Sequence, residues 1–193
     1  MTKPRFLTVN PEKCVGCNIC EYACSWAKEK TINPLRSRIR VVRLHPFVNQ
    51  AIVCKLCEDP PCVVSCPRDA LSQFEETGVI RVDAGKCDGC GWCIEACSYG
   101  AIRYDYDERS VIICDLCDGD PQCKTSCPEE AIEFVSEDAE IQDTWVAALR
   151  VWVEEAKKLI RLYEGEETDL FGDAIDRMDR LDDKLRELFE AKD

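Results

Sequence analysis

A chain of 193 residues has room for one or two small domains. Its 38 Asp and Glu against 25 Lys and Arg give a formal net charge of −13, which argues against a nucleic-acid partner because phosphate binding needs a basic surface. No apolar run approaches the roughly 20 residues of a spanning helix, so no direct membrane span is expected. Met1 to Leu7 show neither an apolar signal region nor a twin arginine, and the expectation is a cytoplasmic protein. The 16 cysteines far exceed ordinary usage, and in a reducing compartment disulfides are not their expected use.

Phe6-Leu7-Thr8-Val9-Asn10 reads as a strand leading into a first cysteine group, Cys14, Cys17, Cys20 and Cys24, spaced C-x2-C-x2-C-x3-C. Residues 28–46 then hold Lys28, Lys30, Arg36, Arg38, Arg40 and Arg43 against a single acid, Glu29. Ile39, Val41 and Leu44 alternate loosely with the arginines, which predicts a strand with a charged face. Such a face is either a plain exposed strand or a docking face for an acidic partner. His45, beside Pro46, reads as a surface or packing residue. The second group is Cys54, Cys57, Cys62 and Cys66, its middle gap widened to four residues. Gly78 to Asp83 reads as a strand feeding the third group, Cys87, Cys90, Cys93 and Cys97, which repeats the first spacing. The fourth group, Cys114, Cys117, Cys123 and Cys127, has a middle gap of five and leads out along a strand toward Phe134. No cysteine is left over.

The spacing has a chemical reason. Three closely spaced cysteines in a tight loop can wrap three irons of a cubane, with backbone amides turned toward the sulfides. A fourth, one helical turn on, points away and reaches a neighbouring cluster, the crossed ligation of two-cluster bacterial ferredoxins. Pro67 and Pro128 complete that run after groups two and four, whereas Ser25 and Ser98 replace the proline after groups one and three. Zinc knuckles also use C-x2-C, but zinc has no need of the triplet plus one. A [3Fe–4S] site usually lacks a cysteine, and none is missing. Four [4Fe–4S] clusters on sixteen thiolates are therefore expected.

The flanks repeat as well. Cys66-Pro67-Arg68-Asp69-Ala70-Leu71 matches Cys127-Pro128-Glu129-Glu130-Ala131-Ile132 and Cys97-Ser98-Tyr99-Gly100-Ala101-Ile102. Each predicts a short helical turn after the fourth cysteine and then an apolar residue entering a strand. Groups two and three resemble one complete ferredoxin unit, from about Ile52 to Asp105. Groups one and four would form a second unit into which the first is inserted. Spacing alone also allows group one to pair with two, and three with four.

Residues 1–135 resemble the four-cluster iron–sulfur subunits of molybdopterin and tungstopterin oxidoreductases. With its short gaps the chain looks most like the small electron-transfer subunits of tungsten aldehyde oxidoreductases and benzoyl-CoA reductase complexes. The resemblance implies an α+β fold of two ferredoxin-like units, one nested in the other. It also implies the ligand sets: Cys14, Cys17 and Cys20 with Cys127; Cys114, Cys117 and Cys123 with Cys24; Cys54, Cys57 and Cys62 with Cys97; Cys87, Cys90 and Cys93 with Cys66. A tungsto- or molybdopterin catalytic subunit is the implied partner, with a flavin subunit or a ferredoxin as a second one.

Trp26, Trp92, Tyr22 and Tyr99 lie beside cysteines and read as packing that shields the clusters from water. Residues 136–193 contain no cysteine. Ile141, Trp145, Leu149, Trp152, Ala156, Leu159 and Tyr163 recur at helical spacing. Glu164 to Glu167 breaks the pattern, Thr168 or Asp169 can cap the next helix, and Phe171, Ala174, Met178, Leu181, Leu185 and Leu188 form a heptad-like seam. A C-terminal α-helical hairpin for packing, subunit association or self-association is expected. It is acidic, with 18 acids and 9 bases over residues 137–193. No catalytic constellation, phosphate loop or nucleotide fingerprint is visible. The expected function is an electron-transfer subunit with clusters of low potential. A free-standing polyferredoxin shuttle is the alternative, and a structural zinc module the remote one.

Overall fold

Cysteine groups two, three and four fold into the same local sequence: a loop, one helical turn, a tight bend and a short strand. The computed structural model describes residues 6–45 and 48–135, together with scattered positions between 150 and 186. Helix α1 (Ile19–Glu29) carries Cys20 and Cys24. Helices α2 (Pro61–Val64), α3 (Trp92–Ala96) and α4 (Gln122–Thr125) are single turns, each holding the third cysteine of its group and ending just before the fourth. The expected helical turn thus lies before the fourth cysteine, not after it.

Proline explains why α2 and α4 stop. Pro67 and Pro128 have no N–H to donate and push the preceding cysteine out of the helical region. Ser25 stands in that place after Cys24, and α1 runs on. Its side chain is fully buried. The hydroxyl donates to the Tyr22 carbonyl at 3.1 Å and accepts from the Asn33 N–H at 3.2 Å, anchoring the following loop.

The strands pair as four separate antiparallel ribbons. β1 (Phe6–Val9) pairs with the last strand, β8 (Ile132–Val135), in the register Phe6↔Val135 to Val9↔Ile132. β2 (Arg40–His45) pairs with β3 (Val48–Ile52), β4 (Leu71–Gln73) with β5 (Ile80–Val82), and β6 (Arg103–Asp105) with β7 (Ser110–Ile112). Helix α1 packs on α4, and α2 on α3. The core between them mixes Leu7, Val9, Ile39, Val53 and Ile132 with eight of the cysteines.

Arg40–His45 of the basic stretch form a strand, as the alternation predicts, but the arginines of residues 36–43 are taken up by contacts within the fold. Arg36 Nη1 donates to Asp105 Oδ1 at 2.9 Å and Asp107 Oδ2 at 3.3 Å, while Nη2 reaches Glu29 at 3.2 Å. Arg38 also pairs with Glu29, at 3.7 Å. Arg40 donates to the Gly100 carbonyl, and Arg43 to the Gly16 carbonyl and Asn18. These side chains tie the first cysteine region to the β6–β7 ribbon. They do not form a free docking face. Arg36→Ala should leave buried Asp105 without its cation and lower stability by about 2–3 kcal/mol, read as a shift in the anaerobic denaturation midpoint. His45 closes β2.

In the C-terminal region the described positions from 150 to 161 are helical, Glu164 and Gly165 form a turn, and the described positions from 175 to 186 are helical again. Of the residues read above as a helical stripe and seam there, only Ala156 and Met178 fall among the described positions, Met178 being exposed. The other stripe and seam residues, and both capping candidates, lie outside them.

Candidate metal centres

All sixteen cysteines are free thiols, and fifteen are buried or half-buried. The loops that present them rest on left-handed backbone. The residue two after the first cysteine has positive φ in every group: Gly16 (71°), Leu56 (50°), Gly89 (71°) and Leu116 (58°). This turns the N–H of Gly16, Leu56 and Leu116 onto Cys14, Cys54 and Cys114. For a leucine this conformation costs about 1–2 kcal/mol. Such strain collects at sites that bind something. Gly16 is needed for space too, since a Cβ there would lie 2.5 Å from Asn49 Oδ1.

The fourth cysteines are served by a second repeated device. Beyond Cys66, Cys97 and Cys127 the chain bends through a positive-φ residue, Asp69, Gly100 or Glu130. The next N–H then returns to the sulfur: Ala70 to Cys66 at 3.3 Å, Ala101 to Cys97 at 3.4 Å and Ala131 to Cys127 at 3.3 Å. All three alanines are buried, where a larger side chain would meet the core. In group one α1 continues instead, and Cys24 receives the N–H of Arg38 at 3.2 Å. Hydrogen bonds of this kind stabilise the more negative state of a thiolate-bound centre and raise its potential.

The fold gathers the sulfurs across groups. Burial pushes the Cys14, Cys17 and Cys20 thiols up, and the charge of Cys127 adds to that in each case. Cys14, Cys17, Cys20 and Cys127 line one cavity of about 20 Å³, with Val9 and Ile132 from the β1–β8 ribbon. Cys54 is pushed up to about 12 by burial, with Cys62, Cys57 and Cys97 acting on it. Those four cysteines line a cavity of about 200 Å³. Burial raises Cys114, Cys117 and Cys123, and Cys24 acts on all three. Cys93 is pushed up to about 11 by burial, with Cys87 and Cys66 acting on it. Thiols raised this far are protonated at neutral pH, so a bound metal must displace their protons.

Three links join these sets into a line. Cys20 acts on Cys123, Cys54 on Cys114, and Cys62 on Cys93. Read as neighbours, the sets run from the Cys14 set through the Cys114 set and the Cys54 set to the Cys87 set, and the packing of α1 on α4 and of α2 on α3 supports the first and last links. Among the described residues no three of His, Cys, Asp and Glu close on a single metal ion. The donor set suits an iron–sulfur group: all thiolate, crossed between loops, with amides aimed at the sulfurs.

The aromatic residues behave differently from the shielding expected of them. Tyr99 does lie against the Cys54 set, half-buried in the cavity wall. Tyr22, Trp26 and Trp92 are 42%, 55% and 63% exposed, so they shield little. Sequence reasoning missed buried Glu21, whose carboxylate accepts from the Val41 N–H at 2.7 Å and Asn18 Nδ2 at 2.8 Å. Its position beside Cys20 was the available signal.

Residues 47–137 match the 4Fe-4S dicluster domain family and residues 7–25 the 4Fe-4S binding domain family. The polyferredoxin-like subunit of an aliphatic sulfonate oxidoreductase from Pyrococcus furiosus is 44% identical over 134 residues, covering 68% of this chain and 78% of that one. The chain belongs to the polyferredoxin-like, 4Fe-4S-binding electron-transfer subunits. The beta subunit of an NADH-dependent phenylglyoxylate dehydrogenase from Aromatoleum evansii is 37% identical over 133 residues. That match covers 67% of this chain but only 30% of the longer relative. Among solved structures, the active site complex BamBC of benzoyl coenzyme A reductase with 1,5-dienoyl-CoA aligns at a TM-score of 0.42 and 25% identity. It covers 69% of this chain and 76% of that one. Among the described residues no helix is long and apolar enough to cross a membrane.

Proposed function

We propose that the sixteen cysteines hold four [4Fe–4S] clusters in the four crossed sets named above, and that the chain relays single electrons between a catalytic subunit and a second redox partner. The observation that carries this is the convergence of Cys127 on Cys14, Cys17 and Cys20, and of Cys24 on Cys114, Cys117 and Cys123. Residues 1–135 act as one tetracluster domain, with an inner ferredoxin-like unit at about 52–105 nested in an outer one. The β1–β8 ribbon and the α1–α4 and α2–α3 contacts support that nesting.

Each cluster, when bound, takes up or gives back one electron without a bond changing in the chain. The protein's own residues do the rest. The left-handed loops orient three sulfurs of each set, the residue in or just past the next helix supplies the fourth to its neighbour, and the buried alanines set amides against sulfur. The apolar core keeps water from the inner sets.

The catalytic partner is a tungsto- or molybdopterin subunit, and the second partner a flavin subunit or a ferredoxin. The protein is cytoplasmic. The C-terminal region, whose described positions within 150–161 and 175–186 are helical, attaches the chain to that catalytic subunit or to a second copy. Val153, Ile160, Ile175 and Met178 are exposed there, as a contact surface requires. They favour a bound subunit over the second reading, a free shuttle.

Anaerobic purification of the tagged full chain from its source tests this. About sixteen irons per chain and a co-purifying larger subunit are expected. Stoichiometric zinc, or iron well below about twelve per chain, overturns the cluster assignment. Sixteen irons on a monomer overturn only the subunit reading.

A further inference from the structure

The two ends of the line of cysteine sets meet solvent differently. At one end Cys14 and Cys20 are buried, with Cys17 and Cys127 half-buried behind the β1–β8 ribbon. At the other end Cys90 is exposed, alone among the sixteen. It shares a surface hollow of about 330 Å³ with Gly91, Trp92, Ile94 and Glu95. Trp92 is 63% exposed, and Val64 on the contacting helix α2 is 84% exposed. The segment that carries this surface is acidic. Between residues 58 and 95 eight carboxylates and three cations are exposed, a local balance of −5. One of those cations, Arg68, is already paired with Asp88 at 3.0 Å.

We propose that the surface formed by Cys90, Trp92 and Glu95 is the port through which this chain exchanges electrons with a small redox protein whose docking face has a basic rim around an apolar centre. The proposal rests on the relay reading above and adds the end of the line at which the second partner docks. Three properties converge there. An exposed ligand cysteine puts the terminal centre at the surface, where tunnelling distance to a partner is least. An exposed tryptophan offers a large, rigid apolar anchor of the kind that dominates interface energetics. The acidic segment steers a basic partner and makes its encounter salt-dependent.

Horse-heart cytochrome c, a basic haem protein, serves as the probe. The iron-loaded full chain is reduced with dithionite, freed of excess reductant, and mixed with ferricytochrome c. One electron leaves the chain and converts ferric to ferrous haem. Glu95→Lys should slow the second-order rate about tenfold at low ionic strength, with the difference vanishing at high salt. Trp92→Ala should slow it by a similar factor at every salt concentration. Glu12→Lys, an exposed charge reversal near the opposite end of the line, should match the parent. Two readouts do not depend on turnover. Calorimetric affinity for cytochrome c should fall in the two port variants only, and carbodiimide coupling should join Glu95 of the parent chain to a probe lysine.

Slowing and weakened binding in either port variant but not in Glu12→Lys carry the proposal. Equal rates and affinities in all four proteins overturn it, as does Glu12→Lys losing as much as Glu95→Lys. Iron content is measured on every sample. A parent chain that holds its irons but passes no electron to any acceptor removes the relay reading itself, a result distinct from failure of the port.

Discussion

Cys127→Ala should take the iron of the anaerobically purified chain from about sixteen to about twelve atoms. The loss falls on the centre formed with Cys14, Cys17 and Cys20, the three thiols on which Cys127 acts. Mössbauer spectra should lose about a quarter of the [4Fe–4S] intensity. Cys97→Ala should give the same arithmetic with a different signature. It strips the set of Cys54, Cys57 and Cys62 in the middle of the line, so magnetic coupling between centres on its two sides is lost as well. In Cys127→Ala the stripped set is terminal, and coupling among the remaining three survives. If Cys127→Ala broke coupling at the Cys87 end, the fourth group would be paired with the third, and the crossed assignment would fall.

Removing the iron from the intact chain should abolish the fold of residues 6–135. Four isolated two-stranded ribbons of three to six residues per strand cannot stand alone in water. Three of the four helices are single turns of four or five residues, far below the length at which a helix persists by itself. Half the cysteines sit in the buried core, so the centres replace the side chains that a larger protein would pack there. Burial also holds Cys14, Cys20, Cys54, Cys62, Cys93, Cys114 and Cys123 in the protonated form, so metal must draw those thiolates together. Metal binding in such a case is folding free energy, on the order of 10 kcal/mol or more. A strong chelator added under reducing, anaerobic conditions should remove the cooperative thermal transition and most of the near-ultraviolet circular dichroism. A metal-free chain that kept a sharp transition would show that the apolar core is enough.

The loops and their strands were legible because metal ligation imposes rigid spacing. Phe6–Asn10, Gly78–Asp83 and the exit toward Phe134 became β1, β5 and β8 within a residue or two. The alanines after the fourth cysteines stood out as a repeat, though their N–H bonds to sulfur did not, since those depend on a bend at Asp69, Gly100 or Glu130. Strand β6 follows Ile102 as the repeat predicts, whereas β7 went unread, because Ser110 to Ile112 is short and pairing fixes it more than pattern does. The arginines of residues 36–43 looked like a surface feature. Besides the nearby Glu29, Arg36 and Arg40 reach Asp105, Asp107 and the Gly100 carbonyl about 60 to 70 residues away, and no local window contains those partners. The tryptophans were misjudged for a related reason. A large ring next to a ligand cysteine can turn inward or outward, and adjacency in the chain does not choose.

The pairing of β1 with β8 has a consequence for how the protein is made. A ribosome releases the first three cysteines long before it reaches Cys127. At about 5–20 residues per second the interval is on the order of ten seconds. The inner sets draw on Cys54 to Cys97 and can be completed earlier. Cluster insertion should therefore start in the middle of the chain and finish at its ends, with β1 and β8 closing last as a clasp. A nascent chain stopped after Cys97 would hold the Cys54 and Cys87 sets, the half of the line that ends at Cys90, with Cys14, Cys17 and Cys20 still open. Delivery machinery that guards exposed thiols is then needed most at the beginning of the sequence, the part synthesised first and sealed last.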